Sequence, residues 1–321
     1  MITIAFIVSV ALLAGMIFLL IKAIRRLARA RGDRRRLWRA RLNLILALLL
    51  LAVLLCVSWG VLIEPNRLVV NQRAIEIDNW PKELGGLRIA LIGDIHTGSP
   101  FIDDQKLERI VELTNQQNPD LIVLLGDYVN RATWHARLVE PEVTAAHMKK
   151  LHAPLGVYAI LGNHDWWYNG EKVQKAFEDA GIRVLENDVA EIKWREKSFW
   201  LVGFADYWSL RFRIKDTLSK VPPDATTIAI SHNPDIFARV PTSVPLLLAA
   251  HTHGGQVNFP LIGTPIVPSR FGSKYTAGHI FENGHHLFVT TGIGTSILPV
   301  RFRVTPEIVI LTVQSKGPGS Y

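Results

Sequence analysis

Five short stretches of this 321-residue chain gather side chains that bind cations: Asp94-Ile95-His96, Gly126-Asp127, Gly162-Asn163-His164-Asp165, Ser231-His232-Asn233-Pro234 and His251-Thr252-His253. Carboxylate, amide and imidazole donors without sulfur suit Mn²⁺, Fe or Zn²⁺. Asp94 and His96 stand two residues apart, so on an extended segment both side chains point to one face. His251 and His253 repeat that spacing. Two such pincers plus several single donors are too many for one ion, and invite two ions sharing a bridging carboxylate. Each residue taken singly has a plainer reading: a histidine satisfied in a core, an aspartate in a turn after glycine, or Asn163 and Asp165 bonding to their own backbone. His135, His147, His152, His279, His285 and His286 belong to no such stretch and read as surface or structural groups.

Each stretch follows a short apolar run of the kind that forms a buried strand. Arg88–Gly93 delivers Asp94 and His96, Leu121–Leu125 delivers Asp127, and Val157–Leu161 delivers the quartet that contains Asn163 and His164. Thr226–Ile230 delivers His232, and Pro245–Ala249 delivers His251 and His253. Arg183–Ile192 and Ser198–Ala205 read as a strand pair ending at Asp206, with His286–Thr290 and Glu307–Val313 as closing strands. Apolar stripes and stop signals predict helices over Lys106–Asn118, Glu142–His152 and Glu171–Ala180. The pattern predicts an α/β fold, and the many late strands predict two stacked sheets flanked by helices. The donors then lie at the carboxyl ends of strands, where open α/β sheets place their chemistry.

The front of the chain is of another kind. Ile2–Ile21 and Leu42–Ile63 carry no charge, and each matches the roughly 20 residues that cross a bilayer. Residues 22–41 hold ten cations and one anion, Asp33, for a net +9 against +8 for the whole chain, so the remainder sums to −1. The alkaline pI is therefore no sign of nucleic acid, and the arginines read as a topology signal. The positive-inside rule places that loop in the cytoplasm and the residues after Ile63 on the other side, the outer face of the inner membrane in a bacterium. A cleaved signal peptide is not expected, because Met1–Ile4 carries no cation. Arg34-Arg35-Arg36 before an apolar run also fits a twin-arginine export signal, but the preceding span favours plain anchoring. Cys56 is the only cysteine and lies in the second apolar run, so residues 64–321 offer neither disulfide nor thiolate. The expected layout is a two-span anchor over 1–63, a connector over 64–86 with an extended segment near Leu68–Ile77, a folded domain over 87–313 and a frayed tail over 314–321.

The five stretches, in this order, resemble the calcineurin-like metallophosphoesterase superfamily, and the resemblance covers about residues 64–313. Gly254-Gly255-Gln256, Phe259-Pro260-Leu261-Ile262-Gly263, Gly294-Thr295-Ser296 and Leu298-Pro299-Val300-Arg301-Phe302 are similar to its membrane-anchored or exported bacterial branch. Two positions depart from the common pattern: Gly93 stands where Ser is usual, and Ala250 where Gly is usual. Neither removes a donor. The resemblance implies a four-layer α/β/β/α sandwich preceded by two transmembrane helices, and a metal-dependent phosphoric ester hydrolase. It implies that Asp94, His96 and His253 hold one divalent ion, that Asn163, His232 and His251 hold the other, and that Asp127 bridges them. It gives His164 the place beside the leaving-group oxygen as general acid, with Asp165 orienting its ring. Paired ions supply hydroxide at neutral pH and draw charge from phosphoryl oxygens.

Trp166, Trp167 and Tyr168 follow the quartet and suit a base stack, a lipid-facing wall or simple loop packing. Trp166, Arg270, Lys274, Tyr275 and Arg301 are candidates for contacting substrate, with surface salt bridges as the plain alternative for the charged ones. A short connector after the second span keeps the domain near the bilayer. That points to a phosphodiester or pyrophosphate of a lipid-linked or envelope substrate, hydrolysed by metal-activated hydroxide. Two alternatives remain. One is a nucleotide or nucleic-acid phosphodiesterase on the same scaffold, against which the near-neutral remainder of the chain speaks. The other is a non-catalytic metal-binding scaffold, which has no use for a general acid at His164. Neither nucleic acid nor an obligate protein partner is expected.

Overall fold

Successive side chains of a strand point to opposite faces, and here both faces are apolar. In β2 (Leu87–Ile92), Leu87, Ile89 and Leu91 enter one core while Ala90 and Ile92 enter another. In β3 (Leu121–Leu124) the same division separates Leu121 and Val123 from Ile122 and Leu124. Strands covered on both sides are what a layered α/β protein requires. The structure, a computed structural model, describes residues 2–30, 32–130 and 132–316, with side chains from Phe6 onward.

Two six-stranded sheets are stacked. The first has the order β1 (Val69–Ile77), β12 (Glu307–Ser315), β2, β3, β4 (Val157–Ala159), β5 (Arg183–Val184). The second has the order β10 (Gly278–Glu282), β11 (His285–Val289), β9 (Leu246–Ala249), β8 (Thr227–Ser231), β7 (Lys197–Phe204), β6 (Asp188–Trp194). Between the sheets, Ile89, Leu91 and Val123 of the first meet Leu201, Ile228 and Leu248 of the second. The outer face of the first sheet is covered by α3 (Asp104–Asn115), α4 (Pro141–Met148) and α5 (Asn163–Asp179), through Leu107, Met148 and Phe177. The outer face of the second is covered more thinly, by the short α6 (Ile214–Leu218) and the 3₁₀ turn Pro234–Arg239 with Ile236 and Phe237. This is the four-layer sandwich expected, with a slight fourth layer.

In front of it, α1 (Ile2–Arg29) and α2 (Arg34–Ser58) are both long and apolar enough to cross a membrane. They run further into the cationic segment than the expected spans 2–21 and 42–63, leaving a tight turn near Gly32 and Asp33. Arg and Lys are good helix formers, and Arg26 and Arg29 at the end of α1 are favourably placed for its dipole. Asp33 caps α2 by accepting from the Arg35 and Arg36 amides. Past α2 the helix widens into one π-turn, Trp59–Ile63, and a 3₁₀ turn, Glu64–Asn66.

Three other elements differ from expectation. The extended segment inside the expected connector is β1, paired in parallel with β12 along its whole length, so it belongs to the first sheet. Arg183–Ile192 is not one strand: β5 and β6 lie in different sheets, and the chain crosses between them at Asn187, which has φ 54°. The hairpin strand β10 was not anticipated, since Gly278-His279 and Glu282 blur its alternation. Of the expected tail, Gln314 and Ser315 extend β12, while 317–321 lie outside the described residues.

Candidate active site

β2, β3 and β4 are parallel neighbours in one sheet, and β8 and β9 are parallel neighbours in the other. The loops after these five strands therefore open on one edge of the sandwich. They bring Asp94, His96, Asp127, Asn163, His164, His232, His251 and His253 together, all of them buried.

The local reason differs from simple strand alternation. Asp94, His96, Asp127, His251 and His253 all have positive φ, between 49° and 71°. A left-handed backbone is costly for residues other than glycine, on the order of 1–3 kcal/mol each. Backbone hydrogen bonds hold these turns: Asp94 N–H to Gly126 O at 3.0 Å, His96 N–H to Asp127 O at 2.9 Å, and Ala250 N–H to His232 O at 2.9 Å. Glycines let the walls close in. A Cβ on Gly162 would stand 2.1 Å from Asp127 Oδ1, and one on Gly292 would stand 2.4 Å from Asp94 Oδ2.

Two clusters result. In the first, His96 Nε2 lies 3.1 Å from His253 Nε2, and Asp94 Oδ1 lies 3.7 Å from His253 Nε2. In the second, His251 Nδ1 lies 3.1 Å from His232 Nε2. One oxygen, Asp127 Oδ2, faces both, 3.6 Å from His96 Nε2 and 3.2 Å from His232 Nε2. Ring nitrogens that close suit adjacent corners around one ion, since two bonds of about 2.0–2.1 Å at a right angle put their ends about 3 Å apart. His232 donates from Nδ1 to Leu125 O at 2.7 Å, so Nε2 is the nitrogen that faces Asp127. Asn163 Oδ1 is buried with no hydrogen-bond partner, an acceptor that a cation would satisfy.

The charge states agree. Burial pushes His96 down to about 3, with nearby His164 acting in the same direction, and burial holds His251 and His253 well below the usual histidine range. They are neutral imidazoles, the form that binds metal. Burial pushes Asp94 up to about 7, with His232 opposing and Asp127 adding to the rise. Burial would lower His232 too, but the Asp127, Asp94 and Asp206 carboxylates raise it to about 10. Carboxylates this crowded in a dry pocket call for a positive partner. The donor set fits two divalent ions: Asp94, His96 and His253 for one, Asn163, His232 and His251 for the other, Asp127 Oδ2 between.

His164 sits in the first turn of α5, with its amide donating to Asp127 Oδ1 at 2.9 Å. Its Nε2 lies 3.5 Å from Ser296 Oγ, and the edge of the His96 ring is 4.7 Å away between centroids. The expected contact between Asp165 and the His164 ring is not made. Asp165 turns the other way: Oδ2 accepts from the Asp127 and Gly162 amides at 2.8 and 2.9 Å, and Oδ1 from those of Tyr128 and Val129 at 2.9 and 3.0 Å. Residue N3 of a helix points back at its own N-terminus, and that end abuts the Asp127 loop.

The sequence profile of the calcineurin-like phosphoesterases matches residues 87–255, which include all seven donors and every one of the five loops. The chain belongs to the calcineurin-like phosphoesterase family. It is 31% identical over 266 residues to the uncharacterized metallophosphoesterase YkuE of Bacillus subtilis, covering 79% of this chain and 88% of that protein. It is 31% identical over 238 residues to phosphodiesterase YaeI of Escherichia coli, covering 70% and 81%. It is 25% identical over 321 residues to UDP-2,3-diacylglucosamine pyrophosphatase LpxG of Chlamydia trachomatis, covering 83% and 95%. The protein is accordingly a phosphoric ester hydrolase.

Around the metallophosphoesterase centre, the expected substrate contacts fall in different places. Arg270 lines a cleft of ≈ 530 Å³ with Trp167, Trp208, Leu210, Val267 and Pro268. Trp166 faces away into another depression, under the Arg211 guanidinium. Tyr275 is buried against Phe237 with its hydroxyl donating to Glu282, and Lys274 pairs with the same carboxylate. Arg301 is wholly buried and donates to the Gly294, Thr291 and Val304 carbonyls, so it braces the loop behind His253 and presents nothing to solvent. The sequence did not single out Trp208, whose ring meets His251 edge-on at 4.4 Å, and gave no role to Ser296 within its family-like stretch. Trp167 stands 4.9 Å from the His164 ring. Side chains three apart on a helix are neighbours, so this pair is readable once α5 is known to start at Asn163.

Proposed function

We propose that the protein is a membrane-anchored, dimetal-dependent hydrolase of a phosphodiester or pyrophosphate bond, with a lipid-linked or envelope substrate. The observation that carries the reading is the convergence of seven donors on one edge, with Asp127 Oδ2 facing an imidazole of each cluster. Bound there, two divalent ions supply a nucleophilic water at neutral pH and draw charge from the phosphoryl oxygens. The chain's own residues do the rest. Asn163 contributes a neutral oxygen, which leaves more positive charge facing an anionic substrate than a third carboxylate would. His164 holds a proton for the departing oxygen, with Ser296 beside its Nε2. Asp165 fixes the Asp127 loop through backbone amides. Trp167 and Trp208, 6.3 Å apart, wall the mouth against water, and Arg270 stands at the edge of that cleft for a second phosphate.

Anchoring is supported by α1 and α2 and by the cationic turn, which favours a cytoplasmic loop and a catalytic domain on the outer face of a bacterial inner membrane. A lipid-linked pyrophosphate is supported by the relative named as a diacylglucosamine pyrophosphatase. The full chain in detergent, stripped of metal and reloaded with Mn²⁺, is expected to cleave chromogenic phosphodiesters and a lipid-linked pyrophosphate faster than a monoester. No turnover of any of them after reloading would sink the proposal.

A further inference from the structure

One segment joins the centre to the anchor. Ser296 Oγ lies 3.5 Å from His164 Nε2, Leu298 O accepts from Gln256 Nε2 at 3.2 Å, and the Arg301 amide donates to Gly60 O in the π-turn that ends the second helix, at 2.9 Å. A Cβ on Gly60 would stand 3.1 Å from Arg301 O, so helix end and segment are in close contact. Glu64 locks the joint by accepting from Trp59 Nε1 and the Arg303 amide at 2.9 and 2.8 Å.

A second loop lies against the same segment. The Asn258 amide donates to Phe302 O at 2.9 Å, and the Phe259 and Phe302 rings are 6.3 Å apart. The Phe259 and Gly263 backbones bond each other both ways, at 2.8 and 2.9 Å, which closes a firm turn. Its tip is apolar: Leu261 is fully exposed and Ile262 is 77% exposed. Phe259, Ile266, Ile297 and Leu298 are exposed as well. Turn tips in water carry Gly, Asn, Asp or Ser. A contiguous apolar rim is a contact surface, and among the described residues nothing covers this one. It flanks the end of α2 at Trp59, where an indole marks the level of the lipid headgroups, with the exposed Arg67 stacked 5.7 Å from that ring.

We propose that the turn Phe259–Ile266 and the neighbouring Ile297-Leu298 dip into the same bilayer that α1 and α2 cross, as a second membrane contact. The mouth beside Ser296 and His164 then opens at the headgroup level. The substrate is a phosphate ester held in the bilayer by its own hydrocarbon and reached without leaving the membrane. The proposal rests on the reading of α1 and α2 as membrane spans.

The test uses the full chain in nanodiscs of phosphatidylcholine and phosphatidylglycerol, in a Cys56→Ser background, with an environment-sensitive fluorophore on one new cysteine. Leu261→Cys probes the turn, Leu46→Cys the middle of α2, and Glu196→Cys the exposed turn between β6 and β7. Nitroxide-bearing lipids report bilayer contact, and a water-soluble nickel chelate reports solvent. The Leu261 label is expected to be quenched by the lipids, as the Leu46 label is, and shielded from nickel, while the Glu196 label shows the reverse. A quenched Leu46 label with a nickel-accessible Leu261 label overturns the proposal and leaves anchoring intact. A Leu261 label shielded from both quenchers overturns it in favour of a protein contact. An unquenched Leu46 label removes the anchoring reading and the proposal together.

Discussion

Gly93 and Ala250 are in contact across the two sheets: a Cβ on Gly93 would stand 2.6 Å from the Ala250 Cβ. By the resemblance read from the sequence, Ser is usual at the first position and Gly at the second. In the structure the two positions share one space. With Gly93 and Ala250 in place, the space between the β2 end and the β9 end has room for one Cβ.

Gly93→Ser alone is therefore expected to overpack the floor of the centre and to lower stability by about 1–3 kcal/mol. Gly93→Ser combined with Ala250→Gly recovers most of that loss. Thermal unfolding of the two single variants and the double variant in detergent measures the coupling, and strict additivity would refute a shared space.

His164 and Asp165 are neighbours in sequence with separate tasks. His164→Ala leaves every donor in place, so metal content stays near the native value while turnover falls by about 10²–10⁴-fold. Asp165→Asn loses acceptors for the amides at Asp127, Tyr128 and Val129, and metal affinity falls by about 10–100-fold. Elemental analysis after dialysis against a weak chelator separates the two. Equal metal loss in both variants would contradict this division of tasks.

Glu186 gives the fold a pH dependence away from the metal centre. Its Oε1 accepts from the Leu161 amide at 2.7 Å, while Oε2 is buried without a partner. Burial pushes this carboxyl from 4.5 up to about 7. Between those values the folded chain keeps a proton that the unfolded chain has lost, so stability falls as pH rises from about 4.5 to about 7 and levels off above. The total is on the order of 3 kcal/mol. Glu186→Gln keeps the bond to Leu161 and removes the titration, so its melting temperature is expected to exceed the native value at pH 8 and to approach it at pH 4.5. Parallel melting curves across that range would exclude the role.

The donors were legible because Asp, His and Asn at the ends of apolar runs are conspicuous against a β-rich background. The reason for their convergence was not. Asp94 and His96 both take a left-handed backbone, which Asp and His adopt more readily than most residues but which their type alone does not dictate. The start of α5 was hidden for a related reason: Gly162 and the break at Asn169 look like loop chemistry, although Asn163 to Tyr168 form helix between them. Once that turn is helical, Asp165 faces the Asp127 loop and Trp167 faces His164. Arg301 shows another limit. A lone Arg in an apolar stretch looks available to a phosphate, and only packing shows three carbonyls around it. β1 was obscured because its partner β12 lies at the far end of the chain.

Two ions held by the other six donors, with Asp127 Oδ2 between them, would be magnetically coupled. Electron paramagnetic resonance of the full chain loaded with Mn²⁺ to saturation tests it most directly. The native chain is expected to give the spectrum of an exchange-coupled pair, and Asp127→Ala to lose that coupling together with turnover. A spectrum of isolated single ions at full loading of the native chain, or coupling that survives in Asp127→Ala, would contradict a bridging Asp127.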